Sequence, residues 1–194
     1  MLWLVHFIMF NAKLVHEEEI QEAAQEFEYG GLSVVTKGKV QHSKVFGPMS
    51  EIEPGLYLGT AYNAYDRKEI EAKNITNIIN VSESEMSYGH DGVRVHYQRL
   101  RYRSDSQYEA FLELCKLIES ILKAGESVLV HCVRGRSRSV GLVMCYLVYS
   151  RNFTSKQALD HIRMRRTCVD PIASIQEQAA SFAAQYTASP ISGT

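Results

Sequence analysis

The chain has 194 residues, 45% hydrophobic and 22% charged, with a formal net charge of -1. These values describe one ordinary folded domain with ample core and exclude a disordered chain. Cys115, Cys132, Cys145 and Cys168 show no zinc-ligand spacing, and no disulfide framework is expected of them.

Met1 to Phe10 is apolar apart from His6. It is too short to span a bilayer and lacks the basic start and cleavage site of a signal peptide. Docking on the domain, or a true start at Met9, is expected ahead of a membrane role. Leu14 to Tyr29 reads as a helix rich in Glu and stopped by Gly30-Gly31. Leu32 to Met49 reads as an irregular linker, with Ser33 to Val35 as an optional strand. Short strands are expected near Glu51-Ile52 and Leu56 to Leu58. A helix is expected from Ala61 to Lys73, then a strand from Ile75 to Val81 and a loop from Ser82 to Gly92. Val93, Val95 and Tyr97 alternate with polar residues, as in a half-buried strand. From Gln107 to Ala124, residues Phe111, Leu114, Cys115, Ile118, Ile121 and Leu122 form one helical face, and Gly125 ends it. Val128 to Val130 is a buried strand, and the apolar run Val140 to Tyr149 a buried helix. Thr154 with Gln157 reads as a capping box. Asp170 as cap and Pro171 as first residue open the last helix, whose Ile175, Ala179, Phe182 and Tyr186 share a face. The alternation implies an α/β fold, with a central, mostly parallel sheet of about five strands and helices on both faces.

Between the buried strand and the buried helix lies His131-Cys132-Val133-Arg134-Gly135-Arg136-Ser137-Arg138-Ser139. A loop from strand end to helix start carries backbone N–H groups with no intrahelical partner, and the helix dipole adds positive charge there. Such a loop cradles an anion. Gly135 can take the positive φ that a cradle needs. A thiol at its base should ionise readily, and Arg138 can set its planar fork against two oxygens of a phosphate. The parts together suit attack on phosphorus by sulfur. The bland alternative, a structural cysteine ahead of a solvated arginine run, leaves the glycine and the setting unexplained.

His-Cys-x-x-Gly-x-Ser-Arg-Ser resembles the signature loop of the cysteine-dependent protein phosphatases, and of their dual-specificity branch in particular. Gly55 to Gly59, followed by Asn63-Ala64, resembles the entry strand of that family. Ile75 to Val81 resembles its central parallel strand. Arg165-Arg166 and Asp170-Pro171 resemble the link between its last two helices. The resemblance runs from about Glu51 to Phe182. It implies an extension at residues 1–46, a catalytic domain at 47–188 and a short tail at 189–194. About 46 residues leave no room for a separate kinase-docking domain, so a small, atypical member is implied.

The resemblance also implies roles. Cys132 is the nucleophile and forms a phosphocysteine. Arg138 and the backbone N–H groups from Val133, Arg134, Gly135, Arg136, Ser137 and Arg138 hold the equatorial oxygens. The Ser139 hydroxyl donates toward the sulfur, and His131 orders the loop. No metal or other cofactor is needed. The family's general acid, an Asp about thirty residues before the Cys, is displaced here: Leu100, Arg101 and Tyr102 stand at those positions. Asp105 is the nearest candidate, with capping of the helix near Gln107 as its alternative role. Arg94, Arg99, Arg101 and Arg103 precede it, and Arg134 and Arg136 lie within the loop. They form either a solvated face or a surface for acidic or multiply phosphorylated substrates. Aromatic interleaving is slight, so nucleic acid is not an expected partner. The expected function is hydrolysis of phosphotyrosine and phosphoserine or phosphothreonine in proteins, in the cytoplasm or nucleus. The alternatives are a phosphoprotein-binding module with little turnover, or the same chemistry on a phosphoinositide or an RNA 5′-phosphate.

Overall fold

The computed structural model describes residues 47–102 and 107–188. The expected N-terminal helix, the linker up to residue 46 and Asp105 lie outside the described residues. Two strands open the described chain, β1 (Ser50–Glu53) and β2 (Leu56–Thr60). Two short helices follow, α1 (Ala61–Tyr65) and α2 (Arg67–Ala72). Next come β3 (Ile75–Asn80), β4 (Arg94–Tyr97), α3 (Tyr108–Lys123) and β5 (Ser127–Cys132). The last three elements are α4 (Arg138–Arg151), α5 (Ser155–Arg165) and α6 (Ala173–Ala188).

The sheet order is β1-β2-β5-β3-β4. β1 runs antiparallel to β2, and the other pairs are parallel. The expected α/β architecture is therefore present. β5 is central, and its side chains alternate between two cores. Val128, Val130 and Cys132 join the larger core with residues of α3, α4, α5 and α6. Leu129 faces the smaller core with Ala64, Ile70, Ile75 and Ile78. Helices thus cover both faces. Helix α4 is buried from Arg138 to Val148, as a helix apolar on all sides must be. The Thr154–Gln157 capping box forms as expected.

Three local readings need correction. The single helix expected from Ala61 is broken at Asp66. Its backbone is extended, and its carboxylate accepts from the N–H groups of Lys68 and Glu69, so it caps a new helix instead of continuing the old one. β4 is more exposed than a half-buried strand, with Val95 43% and Tyr97 36% exposed, because among the described residues it sits at the sheet edge and pairs with β3 alone. Helix α6 starts at Ala173, beyond Asp170 and Pro171. The Asp170 N–H instead donates to Arg136 O (3.0 Å), and the Ile172 N–H to Ser137 Oγ (3.2 Å). Tertiary bonds to the signature loop win over the local helix-start signal.

Candidate active site

Parallel β2, β5 and β3 end together: Thr60 pairs with Cys132 and Asn80 with His131. The loop 133–137 leaves β5 at this carboxyl edge, where open α/β sheets bind ligands. Gly135 has φ +64 and lies so close to β2 that a Cβ would stand 2.3 Å from Gly59 O. Three of the loop's carbonyls are taken by groups outside it. Val133 O accepts from Ala61 N (3.1 Å), Gly135 O from buried Arg166 Nε (3.3 Å), and Arg136 O from Asp170 N. In a planar trans peptide the next N–H points the opposite way. The amides of Arg134, Arg136 and Ser137 therefore face away from these partners, and those of Gly135 and Ser139 bond the Cys132 sulfur.

Cys132 is 2% exposed and its Sγ lies 3.2 Å from Ser139 Oγ. Burial works against its thiolate. The Arg138 charge, the Ser139 hydroxyl and the Ser139 and Gly135 N–H groups outweigh it, so the thiol sits below its ordinary value. Arg138, 2% exposed, donates from Nη1 to Glu83 Oε1 (3.1 Å), and its guanidinium carbon lies 4.6 Å from the centre of the Tyr102 ring.

His131 is fully buried. Its Nδ1 lies 3.1 Å from Cys132 O and its Nε2 2.6 Å from Tyr88 Oη. Burial pushes its pKa down to about 4, against the opposite pull of the Cys132 carbonyl. Burial also raises the Tyr88 phenol. The arrangement that satisfies all three groups has the phenol donating to Nε2 and Nδ1–H donating to the carbonyl. His131 thus props the base of the loop as a neutral ring.

The arginine run does not act as one patch. Arg94 sits opposite Asn77 at the start of β4 and pairs with Glu126. Asn77 is in register with Val128, so Arg94 lies about 13 Å along the strands from Cys132. Arg99, at the other end, pairs with Glu83 beside Arg138. Arg136 lies 3.5 Å from Asp170. The segment bearing Asp105 is outside the described residues, but its two ends are placed. Gln107 Nε2 donates to Arg101 O (3.0 Å), and Arg101 N–H to Gln107 Oε1 (2.9 Å). Gln178 of α6 accepts from Gln107 Nε2 (2.6 Å) and donates to Tyr102 O (3.1 Å). Tyr102, the last described residue before that segment, stands against Arg138 at the rim of the site.

Sequence reasoning missed Glu83, Tyr88 and Arg166 and the packing of Tyr102. Glu83 and Tyr88 come from an aperiodic loop that carries no signal, and the sequence marks Arg165-Arg166 only as a link between helices. Among the described residues no three His, Cys, Asp or Glu side chains are grouped to hold a metal ion. No helix among them is long and apolar enough to cross a membrane.

A buried thiol whose pKa is lowered, with the Gly135 and Ser139 amides and a buried arginine beside it, is the arrangement a cysteine-dependent phosphatase requires. The pattern of the dual specificity phosphatase catalytic domain matches residues 56–185. The chain belongs to that family, and with it to the cysteine-dependent protein phosphatases. It is 34% identical to dual specificity protein phosphatase 1 of Arabidopsis thaliana, over 66% of this chain and 66% of that protein. It is 33% identical to dual specificity protein phosphatase 22 of Mus musculus, over 69% of this chain and 73% of that protein. The match thus spans about two thirds to three quarters of these relatives. The fold is also that of the human tyrosine phosphatase-like serine/threonine/tyrosine-interacting protein, at a TM-score of 0.66 and 25% identity, covering 73% of this chain and 99% of that one.

Proposed function

We propose that this chain hydrolyses phosphotyrosine and phosphoserine or phosphothreonine in proteins through a phosphocysteine at Cys132. The observation that carries this reading is Cys132 at the base of the loop, its Sγ 3.2 Å from Ser139 Oγ, with buried Arg138 and the Gly135 and Ser139 N–H groups all favouring its thiolate. Sulfur attacks phosphorus in line with the ester oxygen, and the S–P bond forms as the P–O bond breaks. Arg138 and the loop amides take up the charge on the equatorial oxygens. Asp105 protonates the leaving oxygen and then takes a proton from the water that attacks phosphocysteine. The placement of Tyr102 and Gln107 at the ends of its short segment supports that role. The Ser139 hydroxyl assists the return of thiolate in the second step.

The second reading is a phosphoprotein-binding module. The displaced acid favours it, and so does the likeness to a protein named as an interacting one. Turnover on phosphopeptides, phosphoinositides and 5′-triphosphate RNA, with EDTA present, separates these possibilities. Release of phosphate from phosphopeptides that falls to background in Cys132→Ser, with peptide binding retained, is the expected result. Peptide binding through Arg138 without turnover by the wild type would establish the module instead. Preference for the lipid or RNA would move the chemistry to that substrate.

A further inference from the structure

One exposed apolar side chain stands beside the anion loop. Ile172 is 47% exposed, directly after buried Pro171. A single exposed isoleucine means little by itself. Here the backbone beneath it is pinned from several sides. The Asp170 N–H donates to Arg136 O (3.0 Å), and the Ile172 N–H to Ser137 Oγ (3.2 Å). Pro171 O accepts from Gln176 Nε2 (2.7 Å). Ile172 O accepts from the N–H groups of Ile175 (3.0 Å) and Gln176 (3.1 Å). The fold therefore fixes where this side chain begins.

Its place is next to the phosphate cradle. A Cβ lies about 2.5 Å from its own nitrogen, so the Ile172 Cβ stands within about 6 Å of Ser137 Oγ. Ser137 precedes Arg138, whose guanidinium carbon lies 4.6 Å from the centre of the Tyr102 ring. Two consecutive loop residues are thus flanked by an isoleucine and an aromatic ring. The charges beside Ile172 offset each other, with Arg136 Nη2 3.5 Å from Asp170 Oδ2. Ala173, the next residue, is exposed and adds only a methyl group.

A phosphorylated residue that enters the cradle brings its chain neighbours with it, each about 3.8 Å away along the backbone. Water leaves two apolar surfaces when a large apolar side chain rests on Ile172, and a polar one gains nothing there. The contact costs little ordering on the protein side, because the backbone is already held.

We propose that Ile172 is a specificity-determining residue: it seats an apolar side chain that neighbours the phosphorylated residue of a substrate peptide. This rests on phosphopeptides being what the cradle receives. The competing idea is that Ile172 only supports the start of α6.

Phosphotyrosine peptides of neutral, serine-rich sequence test it. One leucine is moved through the two positions on either side of the phosphotyrosine. Phosphate release by the full chain gives kcat/KM for each peptide against the all-serine one. Labelled copies of the same peptides are bound at equilibrium to Cys132→Ser, with and without the change at residue 172. One placement of leucine should raise kcat/KM and affinity about tenfold, the lower end of what an apolar contact discriminates. Ile172→Ser keeps the backbone N–H and should bring the leucine and serine peptides within about twofold of each other. Ile172→Val should keep most of the preference. Support of α6 alone predicts that Ile172→Ser weakens both peptides equally. The proposal is overturned by such an unchanged ratio, or by a wild type that treats all the peptides alike. If no peptide is hydrolysed but leucine still tightens binding to Cys132→Ser, the phosphatase reading fails and the seat on Ile172 stands.

Discussion

Adding one methyl group at Gly135 tests how the anion loop is held. The residue has φ +64, where a side chain costs about 1–2 kcal/mol. The added Cβ would lie 2.3 Å from Gly59 O and 2.6 Å from its carbonyl carbon. Carbon and oxygen approach comfortably at about 3.3 Å, so something must retreat by about 1 Å. Gly59 has little room to do so. It pairs with His131 of β5 in the sheet, and a Cβ of its own would already press on Asn63 and Leu129 at 3.0 Å. The loop is what moves, at an overpacking cost of about 1–3 kcal/mol. Gly135→Ala should therefore lose about 2–5 kcal/mol in urea unfolding followed by circular dichroism. A 1 Å displacement of the oxyanion donors should lower kcat on an aryl phosphate by about a hundredfold. The control is Gly125→Ala after α3. Its φ is +74, but nothing lies within 4 Å of the added Cβ. That change should cost only the backbone term and leave turnover alone. If Gly135→Ala is no more costly than Gly125→Ala and keeps its rate within about threefold, the close fit of loop to β2 is not what restrains the site.

The remaining expectations concern protons. The thiolate of Cys132 exists above its lowered pKa and is lost as pH falls through it, so alkylation by iodoacetamide should titrate below an ordinary cysteine. Ser139→Ala removes one of the groups that hold the value down and should move that midpoint upward; an unmoved midpoint would show that the 3.2 Å contact is idle. Asp105→Asn should slow phosphoserine hydrolysis by about a hundredfold and an activated aryl phosphate much less, whereas equal slight losses would leave Asp105 a helix cap only. His131 has its pKa lowered from 6.5 to about 4, so the unfolded chain binds the extra proton first. Its contribution to stability is complete above pH 6.5 and drains away toward pH 4, by on the order of 3 kcal/mol. Unfolding free energies of wild type and His131→Gln across that window check this, and parallel slopes would contradict it.

The chemistry was legible because it is compressed into nine contiguous residues, His131 to Ser139, between two apolar runs whose burial is plain from composition. The same holds for α3, whose apolar face repeats at helical spacing, and for the Thr154–Gln157 cap. Asp66 was missed because no glycine or proline interrupts Ala61 to Lys73, and only the side chain's bonds to two amides reveal the break. The late start of α6 was missed because its competing partners, Arg136 and Ser137, are distant in sequence. Strand register could not be read either, and register decides that Arg99 reaches the site while Arg94 does not. Glu83 and Tyr88 lie in a stretch with no period at all, placed by buried Asn80, Ser82 and His131.

The tether of Gln178 to Gln107 and Tyr102 has a consequence for truncation. Gln178 lies on the last described helix, which also supplies Ala179 and Phe182 to the larger core. A chain cut before α6 therefore loses the hold on Tyr102 and part of the core in one step. Loss of turnover in such a chain reports on the fold before it reports on the rim.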